Sequence, residues 1–147
     1  PEPLIDAEAW REQVAGQDSM ADERPQSVDC PSNAWYVEDG ALEVETGYCN
    51  YLSVAQPSKV AVNKGDKLHL VLWHGQLRYD EPAEAHVAVS IGGRVVFDEQ
   101  VEIPSAGGIF DVLIPSPQNV PAGEKVEFHL HNHGYNTWTL LTLDVQR

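Results

Sequence analysis

"AHVAVSIGGRVVFDEQVEI", residues 85–103, sets two alternating runs on either side of a Gly-Gly pair. In the first run Val87, Val89 and Ile91 fall on one side and His86, Ala88 and Ser90 on the other. That period of two suits a half-buried strand, because successive strand side chains point to opposite faces. Gly92 and Gly93 can take the left-handed backbone of a tight hairpin, so the stretch predicts two antiparallel strands. The same grammar recurs in "ALEVETG" (41–47), "KVAVNKGDKLHLVLWHG" (59–75), "IFDVLIPS" (109–116), "EKVEFHLHNHG" (124–134) and "TWTLLTLDV" (137–145). Gly, Pro, Asn and Asp break these runs, and no stretch after residue 30 has helical periodicity. About eight short, closely spaced strands predict an all-β fold: a single antiparallel β-sandwich of jelly-roll type over residues 30–147.

Residues 1–29 read differently, as an N-terminal arm or linker with at most one short helix. Leu4, Ile5, Ala9 and Trp10 would lie near one side of that helix, and "DSMADERPQS" after it is polar and unpatterned. The arm is also the part of the chain expected to meet a protein partner.

At 147 residues the chain is long enough for one substantial core and too short for two ordinary domains. Its 23 acidic against 9 basic residues give a formal charge of −14, a field that repels phosphate backbones and attracts cations. Nucleic acid is therefore not an expected partner, and no apolar run is long enough for a membrane span. Cys30 and Cys49, with no C-x-x-C in the chain, read as one disulfide. That pairing, and a chain opening on Pro1 in place of Met, point to an extracellular or periplasmic setting.

Alternation also assigns faces. Leu68, Leu70 and Leu72 form one apolar row, opposite His69, Val71 and Trp73; Val126, Phe128 and Leu130 form another, opposite Glu127, His129 and His131, with His133 following in phase. In the last run Leu141, Leu143 and Val145 are expected to point inward, leaving Trp138, Leu140, Thr142 and Asp144 outward. On a single sheet, these rows would gather His69, Trp73, His86, His129, His131, His133, Trp138 and Asp144 on one non-core face.

The first ligand this face suggests is a divalent transition metal, zinc or copper, because imidazole ligates both. Residues i and i+2 on a strand can share an ion, whereas i and i+4 are roughly 13 Å apart at about 3.3 Å per residue. The expected set is His131 with His129 or His133, completed by His86 or His69 from a neighbouring strand, or by a carboxylate or water. "GEKVEFHLH" (123–131) resembles the start of the cupin metal motif, a Gly followed by His-x-His, which would imply a double-stranded β-helix with a metal on that His pair. The match covers Gly123, His129 and His131; Tyr135 and Asn136 stand where the motif's Glu is wanted, and the 11 residues after Asn136 are too few for the family's second motif. "PAGEKVEFHLHNHG" (121–134) is similar to a cupredoxin strand, but that family's late Cys ligand is absent.

"TGYCNYLSVAQPSKVAVNKGDKLHLVLW" (46–73), closed by "NTWTLLTLDVQ" (136–146), is similar in layout to galactose-binding-like jelly rolls, the fold of many carbohydrate-binding modules. That resemblance implies an extracellular, non-catalytic glycan binder. Aromatic platforms and side-chain amides are the chemistry such binding uses, and Trp73, Trp138, Tyr135, Asn132 and Asn136 are the candidates for it. The chain has no G-x-S-x-G, no glycine-rich phosphate loop and no H-E-x-x-H. The expected function is thus a secreted binding domain, for a metal first, a glycan as the alternative, and an assembly role as a third reading.

Overall fold

The computed structural model describes residues 1–147 and is an antiparallel β-sandwich. One sheet, here sheet A, runs β3 (Trp35–Glu38), β4 (Ala41–Glu45), β11 (Thr137–Gln146), β6 (Lys67–His74) and β9 (Gly108–Pro115). Sheet B runs β2 (Arg11–Glu12), β5 (Tyr51–Pro57), β10 (Lys125–His131), β7 (Ala83–Ile91) and β8 (Arg94–Ile103). The Gly92–Gly93 hairpin joins β7 to β8, with φ of 59° and 79° at the two glycines. The core lies between the sheets: Leu68, Leu70, Leu72, Leu143 and Val145 from sheet A meet Leu52, Val54, Val87, Val89, Val126, Phe128 and Leu130 from sheet B. Apart from Leu52 and Val54 of β5, these belong to the apolar rows that alternation assigns, and their burial is the main favourable term in the fold.

The last strand departs from simple alternation. A register shift between Leu140 and Thr142 against β6 places a β-bulge at Leu141. The extra residue reverses the phase, so Trp138 and Leu140 face the core before it and Leu143 and Val145 face the core after it. Trp138, expected outward, is 0% exposed, and Leu141, expected inward, is 41% exposed.

The N-terminal segment makes no α-helix. β1 (Glu2–Pro3) pairs with β11 in sheet A and β2 pairs with β5 in sheet B, so the chain crosses from one sheet to the other within its first residues. Leu4 and Trp10, which the helical reading put on one side, are instead buried in the core, and Trp10 packs near Phe128 at 6.5 Å between ring centroids. Two single-turn 3-10 helices follow, Ala15–Gln17 and Ala21–Glu23. Cys30 and Cys49 form a disulfide that ties the end of this segment to the start of β5.

The bulge is open to a direct test by urea unfolding. Trp138→Ala is expected to destabilise by about 3–5 kcal/mol, as for a large buried aromatic, and Leu141→Ala to change stability by only about 0.5 kcal/mol. A strand without the bulge would reverse the order of the two.

Candidate functional site

The histidines of the alternating rows divide between the two sheets and do not share one face. His69 and Trp73 project from β6 on the outer side of sheet A, where His69 Nε2 lies 2.7 Å from Asp111 Oδ1. His86, His129 and His131 project from β7 and β10 on the outer side of sheet B. The expectation that His69 completes a site with His131 fails for this reason: the core separates them. His74, in the core-facing phase, is buried against Trp138 with 4.6 Å between ring centroids.

On sheet B the outer face is covered. Residues 13–24 of the N-terminal segment cross it, so Tyr51, Ser53, Glu127, His129 and Ala88 are all below 5% exposed although they point away from the core. A polar network holds the segment down. Glu127 accepts from Gln13 Nε2 at 2.9 Å, from the Ser19 amide at 3.1 Å and from the Ser19 hydroxyl. Asp18 accepts from the Tyr51 hydroxyl, the Met20 amide and Arg24, and the Arg24 guanidinium also lies over the Tyr51 ring at 5.1 Å. Burial by itself would raise both carboxyls, but these donors outweigh it and hold Glu127 and Asp18 below their ordinary values.

Within this covered face lies a compact group that includes a residue from the segment itself. His86 Nδ1 is 2.7 Å from Glu23 Oε1 and 3.1 Å from His129 Nε2, while His86 Nε2 is 2.6 Å from Asp98 Oδ1. Burial, and then the neighbouring His86, push His129 down to about 4, so its ring is neutral at neutral pH. His131 stands apart from this group, its ring 5.6 Å from Tyr51 and 5.2 Å from His133 between centroids. The metal set expected around His131 is therefore not the one that converges. Glu23 had no legible signal, because it sits in the unpatterned polar run.

The loop after β10 explains "HNHGYNTW" (131–138). Asn132 and Asn136, expected as sugar ligands, are 1% and 6% exposed. Asn132 Oδ1 accepts the Trp138 indole N–H at 3.1 Å and its amide donates to the His133 carbonyl at 2.9 Å. Asn136 accepts the Arg78 amide at 2.8 Å, and its backbone exchanges hydrogen bonds with Thr46. Gly134 has φ of +90°, and a Cβ there would sit 1.7 Å from the Arg78 carbonyl oxygen. These residues, with Trp138, build the loop, and Asn132 and Gly134 also line the cleft it forms.

What the loop presents is a cleft of about 310 Å³ at one end of the sandwich, lined by Thr46, Asn50, Tyr79, His133 and Tyr135 among others. Tyr135 is 79% exposed and Tyr79 41%, and Tyr48, on the loop beside Gly47 of the lining, is 70% exposed. Tyr79 packs against His133 with 5.7 Å between centroids, and the Tyr135 ring approaches Gly47 so closely that a Cβ there would lie 2.8 Å from it. Tyr48 and Tyr79 were not legible as partners, because they come from loops far apart in sequence. Trp73, on the outer face of sheet A, is half-buried.

No family model matches the chain, and no curated protein matches it in sequence. Among solved structures it superposes on TmCBM27, a carbohydrate-binding module studied for specific mannan recognition, with TM-score 0.55 and 9% identity, covering 97% of this chain and 95% of that one. A non-crystalline cellulose specific carbohydrate-binding module, CBM28, gives TM-score 0.55 and 9% identity over 100% of this chain and 96% of that one. This chain has the jelly-roll fold of carbohydrate-binding modules. At such identity the likeness concerns the fold, and fold alone does not assign a ligand.

The carboxylates beneath the segment give it an acid sensitivity of definite sign. Because both folded-state values are depressed, their contribution to stability is complete above the unfolded values of 3.8 and 4.5 and is lost as pH falls through the lower folded values. Hydrogen-exchange protection at the Ser19 and Met20 amides is expected to fall below about pH 4 before that of β6 amides does. Simultaneous loss in both places would show that these carboxylates do not hold the segment separately.

Proposed function

We propose that the protein is an extracellular, non-catalytic glycan-binding domain whose site is the tyrosine-lined cleft at the end of the sandwich. The observation that carries this reading is the meeting of the exposed Tyr79 and Tyr135, from two separate loops, in one concavity, with the exposed Tyr48 next to Gly47 of its lining. Exposed aromatic rings in a soluble domain leave apolar surface in water, and such surface gathered at a cleft marks a recognition site. Sugars match it: their C–H faces pack on aromatic rings while their hydroxyls take hydrogen bonds from groups such as the His133 ring. Tyr135 and Gly47 are in close approach, so one ring wall of the cleft has a backing before any ligand arrives. The mannan- and cellulose-binding neighbours support the reading by fold, and the Cys30–Cys49 disulfide supports the extracellular setting.

Affinity electrophoresis against a panel of soluble polysaccharides, including mannan and a soluble cellulose derivative, tests it. At least one polysaccharide is expected to retard the protein, with Tyr135→Ala and Tyr79→Ala each weakening binding about tenfold, equivalent to about 1.4 kcal/mol. Trp73→Ala is expected to leave it unchanged. Retardation by none of the panel, or a loss with Trp73→Ala and not with the tyrosine variants, would overturn the assignment of the cleft.

A further inference from the structure

We propose that Glu23, His86 and His129 form a binding site for one zinc or copper ion that fastens the N-terminal segment onto the outer face of sheet B. The site is independent of the glycan cleft and uses none of its residues. Its three donor atoms, Glu23 Oε1, His86 Nδ1 and His129 Nε2, stand 2.7, 3.1 and 3.9 Å apart. Ligands about 2.0–2.1 Å from a tetrahedral ion are separated by about 3.3 Å, so these distances already bracket the edges of such a tetrahedron. The donors need shift by only a few tenths of an ångström to close on an ion.

Proton accounting favours a cation in the same place. His86 Nδ1 faces both the Glu23 carboxylate and the His129 nitrogen, and one proton on it can serve only one of them well. An ion would engage all three lone pairs together. His129 is 3% exposed, its Nδ1 is buried without a hydrogen-bond partner, and its Nε2 has only His86 and Glu23 for polar neighbours. An ion on Nε2 would satisfy that nitrogen fully, while Nδ1, which is not a donor to the site, would keep its buried position without a partner. The other nitrogen of His86 lies 2.6 Å from Asp98 Oδ1, so with the ion on Nδ1 the Nε2–H donates to a carboxylate, the arrangement that orients metal-bound histidines.

Two imidazoles and one carboxylate suit zinc or copper better than calcium or magnesium, which prefer oxygen alone. The Glu23 side chain is 40% exposed, which leaves a fourth position on the solvent side for water. Glu23 belongs to the segment, whereas His86 and His129 belong to β7 and β10. Binding therefore joins two parts of the chain, and its free energy adds to the stability of the covered state.

Isothermal titration of chelator-treated full-length protein with zinc chloride, and separately with copper(II) chloride, is the test. The expected result is one equivalent bound with micromolar or tighter affinity and a raised melting temperature. Glu23→Gln is expected to weaken binding at least tenfold, His86→Gln and His129→Gln to abolish it, and His69→Gln on the opposite sheet to leave it unchanged. Cobalt(II) bound to the wild type should show the intense visible bands of tetrahedral coordination, lost in His129→Gln. Since His129 is buried and its variant can fail to fold, Glu23→Gln, a change in a partly exposed side chain, keeps the test decisive. No binding by folded wild-type protein, or unchanged affinity in Glu23→Gln, overturns the proposal; neither result bears on the glycan cleft.

Discussion

The indole N–H of Trp138 donates to the side-chain carbonyl of Asn132 inside the protein, and both residues are almost completely buried. This one bond joins the packed centre of sheet A to the loop that forms the cleft. A buried amide needs its partners, and Asn132 has them in Trp138 and in the His133 carbonyl. Asn136 makes the corresponding link to Arg78 and Thr46, so three loops are tied to one another at this end of the sandwich. Tyr79 and Tyr135 are thereby carried on a supported framework, the condition under which an exposed ring serves as a platform without a large ordering cost on binding.

Trp138 faces the core only because the strand is bulged at Leu141. β11 is paired to β6 along its length and to β4 over its first half, and it must bury apolar side chains from two out-of-phase sets. A single extra residue satisfies both sets at the expense of a local gap in the ladder. Leu141 occupies that gap and turns to solvent.

The opposite side of the molecule follows another logic. Sheet B presents a polar outer row, and the N-terminal segment covers it with hydrogen bonds and charge in place of apolar packing: Gln13 and Ser19 on Glu127, Arg24 and Tyr51 on Asp18, Glu23 on His86. Buried polar groups of this kind define one arrangement sharply, because any displacement leaves several of them without partners. The segment is thus an integral layer over sheet B, and the crossing of β1 and β2 between the sheets anchors its start.

The sandwich itself was legible along the chain, because alternation and turn chemistry are local: the Gly92–Gly93 hairpin and the leucine row of β6 need no knowledge of distant residues. The disulfide was legible from having two cysteines and no competing motif. Period two says which side chains share a face of one strand, yet it does not say which strands share a sheet. His69 and His86 consequently parted, and Glu23 joined His86 and His129 from 63 and 106 residues away. Local pattern determined most of the strands and the apolar rows of β6, β7 and β10; pairing between distant strands, one bulge and the path of the N-terminal segment decided the sites, because these depend on contacts that no short stretch contains.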